Sequence, residues 1–191
     1  MKLIVGLGNP GELYAGSRHN LGSLTVRTLA KRCKVSLKKD FRTLSLCGKA
    51  GICGQKIILA IPLVFMNLSG GAVMALLKRY KLGLQDLLIV CDDIDLELGR
   101  LKIRPGASSG GHRGLESIAQ TLKSQEFARL RLGIGRPPSD LRAADFVLSR
   151  FDREEQKQLK EIVERACDCC QVWVTQGLDE SMNIFNRRRT R

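Results

Sequence analysis

The sequence predicts an α/β fold: one three-layer domain with a mixed, largely parallel central sheet flanked by helices. Three observations carry this expectation. Short apolar runs of strand length alternate with stretches of helical apolar spacing along the chain. The runs KLIVGL (residues 2–7) and DLLIVCDD (86–93) are almost continuously apolar at their centres, as strands covered on both faces must be. Polar or glycine-rich segments follow those runs directly, where an open α/β sheet collects its functional loops.

Taken in order, KLIVGL opens the fold as a buried strand and leads into a glycine-rich turn, GNPGELYAG (8–16). SLTVRTLAKRC (23–33) has the apolar spacing of a helix. RTLSLCG (42–48) and QKIILAIP (55–62) read as strands, the second ended by Pro62. LSGGAVMALLKRYKL (68–82) reads as a helix begun after Asn67, despite two early glycines. DLLIVCDD is the central strand. GRLKIRP (99–105) predicts another strand, GASSGGHRG (106–114) a loop, LESIAQTLKS (115–124) a helix and LRLGIG (130–135) a short strand. REEQKQLKEIVERACDCCQVWV (153–174) is the longest amphipathic stretch and predicts a long helix. GLDESMNIFNRRRTR (177–191) predicts a short helix and a basic tail over about residues 186–191, carrying Arg187, Arg188, Arg189 and Arg191. No internal repeat, low-complexity tract or linker divides the chain, so residues 1–191 are expected to form a single domain.

Hydrophobic residues make up 43% of the chain and mean hydropathy is close to zero, which suits a globular domain with a substantial core. No apolar run approaches the roughly 18 residues of a membrane helix. The apolar run after Met1-Lys2 is too short for a secretion signal. A cytoplasmic protein without membrane association is expected. The net charge of +13, from 32 Lys+Arg against 19 Asp+Glu, favours a polyanionic partner, nucleic acid first; a solubilising surface explains the same number less specifically. Aromatic residues are only 5%, so charge and shape rather than base stacking should dominate such binding. Of the seven cysteines, Cys167 and Cys170 form one CxxC spacing. No second pair or histidine completes a zinc site, and core or half-buried helix cysteines are expected.

GLGNPG places Gly6, Gly8 and Gly11 in the formal GxGxxG spacing of a dinucleotide loop. Pro10 lies inside it, and no acidic residue ends a second strand about 20 residues later. A Walker A loop fails as well, because no GK[ST] follows. Another pattern accounts for more residues. Asn9 follows the first strand, and Arg18-His19-Asn20 lies at the entrance to the first helix. Asn67 follows the strand ending at Pro62; Asp92, Asp93 and Asp95 close the central strand; His112 lies in SSGGHRG. Any one of these suits a cap or turn. Together, at the carboxyl ends of strands, they predict one active or binding crevice.

Through the blocks KLIVGLGNPGELYAGSRHN (2–20), PLVFMNLSG (62–70), VCDDIDLELG (90–99), GASSGGHRGLESI (106–118) and RLRLGIGRP (129–137), the sequence resembles the bacterial-type peptidyl-tRNA hydrolase family, in the family's order and over almost the whole chain. The resemblance implies hydrolysis of the ester between a peptidyl, or N-acylated aminoacyl, group and tRNA, releasing peptide and recycling tRNA. Peptidyl-tRNA is then the partner. It implies His19 as the base that activates water and Asp92 as the group that orients it. Imidazole suits this task, with a reference pKa of about 6.5. Asn9, Tyr14, Met66 and Asn67 are implied as substrate-binding residues, with Asn67 a donor to the oxyanion and Met66 part of an apolar wall. His112 is expected to order its loop or touch substrate. Arg104 and Arg131 match basic residues near the 5′-phosphate end of the acceptor stem, although either is also an ordinary solvated strand residue. Arg113 stands where the family usually has asparagine. Arginine has no hydrogen-bond acceptor, so it is expected to meet a phosphate or a carbonyl of the substrate.

Neither a cofactor nor a metal is implied. Water is the expected nucleophile, since no GxSxG elbow occurs and nothing places a base beside Ser69 or Ser109. A monomer is expected because peptide and tRNA both need access. The alternative is a noncatalytic RNA-binding, splicing-like relative of the same fold. It accounts for charge and fold, but not for His19, Asp92, Asn9 and Asn67 together.

Overall fold

A computed structural model describes residues 1–187. Its strands are β1 (Lys2–Gly6), β2 (Lys38–Asp40), β3 (Ser45–Ile52), β4 (Gln55–Pro62), β5 (Leu87–Asp93), β6 (Leu101–Arg104) and β7 (Ala128–Gly133). They form one seven-stranded sheet in the order β2-β3-β4-β1-β5-β7-β6. β1 runs parallel to β4 and β5, and β5 parallel to β7. The two margins are antiparallel, β2 on β3 on β4 at one side and β6 on β7 at the other. The sheet is mixed, with a parallel centre, as the sequence predicts.

The helices are α1 (Leu21–Arg32), α2 (Ser69–Tyr80), α3 (Arg113–Leu122), α4 (Ala143–Leu148), α5 (Arg153–Gln176) and α6 (Leu178–Phe185). Side chains alternate across a strand, so β1 feeds two cores. Ile4 belongs to a core shared with Val26 and Leu29 of α1 and Ala166 and Trp173 of α5. Leu3 and Val5 belong to a second core, with Val73 and Leu76 of α2 and Leu115 and Ile118 of α3. Three layers follow from that alternation. Every residue of β5 is buried, as its continuous apolar run requires. α5 starts with a capping box between Asp152 and Glu155 and stops at Gly177, whose φ of 92° a side chain would resist. α6 is the short helix expected there. Arg187 is exposed, while Arg188, Arg189 and Arg191 of the predicted basic tail lie outside the described residues.

Two elements are absent from the sequence reading. β2 is a three-residue edge strand, Lys-Lys-Asp, with no apolar alternation to announce it. α4 has six residues, too few for a helical period to show. Some boundaries also move. The strand expected from residue 42 begins at Ser45, because Leu44 takes a left-handed φ of 48° and Thr43 closes a turn on Asp40. α3 begins at Arg113, inside the expected loop, because the His112 side chain caps it.

The cysteines follow the helix expectation in part. Cys167, Cys169 and Cys170 are buried in α5, Cys91 is buried in β5, Cys33 and Cys47 are half-buried and Cys53 is exposed; all seven are free thiols. Burial pushes the Cys167 and Cys169 thiols up to about 12. Among the described residues no helix is long and apolar enough to cross a membrane.

One close approach sets the position of the site. The first turn of α1 rests directly on the ends of β1 and β5. A β-carbon on Gly22 would run into the carbonyl oxygen of Val90, and one on Gly6 into that of Gly22. The Leu7 N–H donates to the Val90 carbonyl at 2.9 Å and the Ser23 N–H to the Leu7 carbonyl at 2.8 Å. The residues just before α1 are thereby pinned over the carboxyl ends of the two central strands.

Candidate active site

His19 lies in the 3-10 turn Arg18–Asn20 that leads into α1, and Asp92 is the next-to-last residue of β5. Both are buried, 7% and 3% exposed. His19 Nδ1 stands 2.9 and 3.0 Å from the two oxygens of Asp92. An ionised carboxylate only accepts, so His19 Nδ1 carries the proton and Nε2 is left as the acceptor. Burial alone would raise the Asp92 carboxyl. The hydrogen bonds and attraction of His112 and His19 outweigh it and hold the group well below the ordinary carboxylate range.

His112 completes the cluster. Its Nε2 is 3.1 Å from Asp92 Oδ1. Its Nδ1 accepts from the N–H groups of Gly114 and Leu115, at 3.1 and 3.3 Å. The helix cap therefore fixes the tautomer: with Nδ1 accepting, Nε2 carries the proton and donates to Asp92. The two imidazole rings are 4.7 Å apart and inclined at 46°.

Asn9 is held from both sides. Asn20 Oδ1 accepts from the Asn9 backbone N–H at 2.8 Å, while Asn20 Nδ2 donates to the Asn9 carbonyl at 2.9 Å. The Asn9 side chain accepts the Met66 N–H on Oδ1 at 2.8 Å, which leaves its Nδ2 as a donor. The glycine loop thus presents an asparagine rather than a ring of backbone N–H groups. Gly8 allows it, since a β-carbon there would crowd Asn20 and Ser23.

These groups open on a cleft of about 460 Å³. Asn9, His19, Met66, Asn67, Asp92 and His112 line it, together with Arg113 and Arg131. Met66 is buried and Asn67 exposed. Ala143, Val147 and Leu148 of α4 supply an apolar wall that the sequence reading does not contain. Two predicted residues stand apart from the lining. Tyr14 packs edge-on against Phe65, ring centres 6.4 Å apart, and Phe65 is the lining residue. Arg104 lies half-buried on the edge strand β6, paired in register with Arg129.

The other acidic residues are occupied. Arg131 Nε lies 2.5 Å from Asp93 Oδ2 as an ion pair without hydrogen-bond alignment, and burial raises the Asp93 carboxyl. Asp93 Oδ1 accepts the Asp95 N–H at 2.9 Å, and Asp95 pairs with Arg136 at 3.1 Å. Ser69 donates to the Met66 carbonyl at 2.8 Å and is fully buried. That contact leaves it no base.

His19, Asp92 and His112 bring three potential metal ligands within 4.8 Å of one another. Their donor chemistry argues for a hydrogen-bonded cluster. Both rings direct N–H groups at Asp92, and the other nitrogen of His112 is consumed by the cap. A metal ion at this point would have to displace the proton on each bridging nitrogen.

Three residues have supporting roles that the sequence does not announce, although Arg18 and Asn20 belong to the RHN block placed at the crevice. Arg18 is buried, pairs bidentately with Glu155 at 2.8 and 2.6 Å, and lies between the rings of Phe146 and Phe151. It braces the turn that carries His19 against the start of α5. Asn20 clamps Asn9. Arg129 is 1% exposed, donates to the carbonyls of Ser108 and Gln125 at 3.0 and 3.2 Å, and ties the glycine loop before His112 to the sheet. The only sequence signal was that Arg18 and Asn20 flank His19 in RHN and that Arg129 sits in an apolar strand.

Comparison with known proteins agrees with this architecture. The peptidyl-tRNA hydrolase family model matches residues 3–191. The chain is 46% identical to a peptidyl-tRNA hydrolase of Geobacillus thermodenitrificans and 43% identical to one of Syntrophomonas wolfei, in each case over 97% of this chain and 100% of the relative. It superposes on the crystal structure of peptidyl-tRNA hydrolase from Acinetobacter baumannii with a TM-score of 0.91 at 34% identity, covering 97% of this chain and 94% of that one. The chain belongs to the peptidyl-tRNA hydrolase family.

Proposed function

We propose that this chain hydrolyses the ester that joins a peptidyl or N-acylated aminoacyl group to the 3′-terminal ribose of tRNA. The observation that carries the reading is the buried His19–Asp92 pair, 2.9 Å apart at the wall of an open cleft. His19 Nε2 takes a proton from water as the water attacks the ester carbonyl, and Asp92 steadies the imidazolium that forms. Asn67 donates to the developing oxyanion. Asn9 Nδ2 holds the acyl backbone, in register with Met66, whose side chain lines the apolar wall. Tyr14 supports that wall through Phe65. His112 keeps Asp92 ionised and oriented. Arg113 contacts substrate at the rim of the cleft, and Arg104 and Arg131 attract the acceptor stem; Arg131 does so with the end of its guanidinium, its Nε being paired with Asp93.

The same surroundings account for choice of substrate. A free α-ammonium entering the cleft would leave water for an apolar wall, with Asp92 and Asp93 both already paired. An N-acyl amide carries no such charge. Steady access for both peptide and tRNA suits a cytoplasmic monomer. A noncatalytic RNA-binding relative would have no use for two tautomer-fixed imidazoles around one buried carboxylate.

The test is turnover of N-acetyl-aminoacyl-tRNA beside the same aminoacyl-tRNA with a free amine. Selective release of the N-acetyl amino acid is expected. Cleavage of neither ester, or of both equally, would overturn the reading.

A further inference from the structure

Two arginines line the cleft that holds His19, and they differ in one respect. Arg131 is paired with Asp93. The Arg113 side chain has no hydrogen bond or ion pair among the described residues, although Glu116 stands one turn along the same helix; Glu116 accepts from Gln120 Nε2 instead, at 3.4 Å. Arg113 is exposed, so packing does not demand it. It is also the first residue of α3, where the positive end of the helix disfavours a cation. A charge placed against a local rule, without a partner and inside a reaction cleft, marks a ligand contact.

The helix end itself is not that contact. The N–H groups of Gly114 and Leu115 are already taken by His112 Nδ1. An anion arriving at the start of α3 meets the Arg113 guanidinium rather than these N–H groups. Its position is constrained too: Arg113 follows His112 directly, and His112 Nε2 is 3.1 Å from Asp92. Arg113 lines the same cleft as His19 and Asp92. Beside an ester on a nucleotide 3′ oxygen, the N-acylated backbone is neutral and the charge of its side chain varies with the amino acid. The nearest formal charge common to every such substrate is the phosphate on the 5′ carbon of the same ribose.

We propose that Arg113 binds the phosphate of the terminal nucleotide, as a specificity-determining contact that distinguishes nucleotide-linked esters from other acyl esters. The proposal rests on the hydrolase reading above. A planar guanidinium with paired donors matches a phosphate, and a neutral amide in its place does not.

The experiment compares three substrates carrying the same N-acetyl amino acid: the tRNA ester, the 3′-ester of adenosine 5′-phosphate, and the 3′-ester of adenosine. Arg113→Gln is expected to lower kcat/KM about ten-fold more on the first two than on the third, with the difference in KM rather than kcat. Arg113→Lys recovers part of it, restoring charge without the fork. For the tRNA ester, the slope of log KM against log salt becomes shallower by about 0.7 in Arg113→Gln. A loss equal on all three substrates would assign Arg113 to the acyl group and overturn the proposal, as would no loss on any. If the wild-type chain cleaves none of the three, the hydrolase reading falls and this one with it. That pattern is distinct from an active enzyme indifferent to residue 113.

Discussion

Asp92 receives His19 Nδ1 on both of its oxygens, at 2.9 and 3.0 Å, while one of the same oxygens also takes His112 Nε2. One carboxylate thus fixes two rings, and only His19 keeps a lone pair for water. Replacing His19 with alanine is expected to lower kcat by about 10² to 10⁴-fold, with the fold and most RNA affinity intact. Turnover and filter binding on the same preparation check this. Undiminished cleavage would remove His19 from the mechanism.

Asparagine at position 92 keeps an acceptor but not the charge. Asp92→Asn is expected to cost about 10²-fold or more in kcat, with little change in KM. The depressed Asp92 pKa carries a stability statement as well. A carboxyl lower in the folded than in the unfolded state contributes fully above its unfolded value of about 3.9, and the contribution is lost as pH falls through the folded value. The part of the urea stability difference between wild type and Asp92→Asn that comes from the Asp92 charge should therefore shrink as pH falls below about 4. A carboxyl carbon shift that titrates at or above pH 4 would contradict the assigned direction.

His112→Ala removes both the helix cap and one donor to Asp92. Loss of the cap is expected to cost about 1 kcal/mol in denaturant unfolding. The loss in kcat should be smaller than for His19→Ala, because the His19–Asp92 contact remains. A larger loss than His19→Ala would make His112 the base.

Glu155→Ala leaves the buried Arg18 guanidinium without its bidentate partner and takes one leg from the α5 capping box. About 3 kcal/mol of stability is expected to go. Because Arg18 adjoins His19, kcat should drop at temperatures where the variant is still folded. Native near-ultraviolet spectra with undiminished kcat would separate the brace from catalysis.

Thiol chemistry offers a check on packing. At pH 8, iodoacetamide is expected to label Cys53 first, Cys33 and Cys47 slowly, and Cys91, Cys167, Cys169 and Cys170 only on unfolding. Mass spectrometry of peptides resolves the order. Rapid labelling of Cys170 in the native protein would mean that α5 is not seated as described.

The central strands were legible because burial on both faces writes itself as an unbroken apolar run, and their polar endings announced Asn9, Asn67 and Asp92. The His19 turn and His112 were legible from their place beside those endings. β2 was not, since Lys38-Lys39-Asp40 is held by its neighbour's ladder rather than by its own pattern. α4 was not, because six residues leave no period to read, and with it went the apolar wall of the cleft. Glycines 6, 8 and 11 imitate a nucleotide loop in spacing. The first two are required by what lies within a β-carbon of them, Gly22 for Gly6 and Ser23 and Asn20 for Gly8, and Gly11 by its φ of 95°. Arg18 and Glu155 escaped for a plainer reason, since a pair 137 residues apart leaves no local trace.

That separation has a consequence in time. A chain leaving the ribosome is itself a peptidyl-tRNA, and His19 emerges early. Arg18 does not brace its turn until Glu155, 137 residues further along, has also left the exit tunnel. The nascent chain therefore carries its histidine well before the Arg18–Glu155 contact can hold the histidine's turn in place.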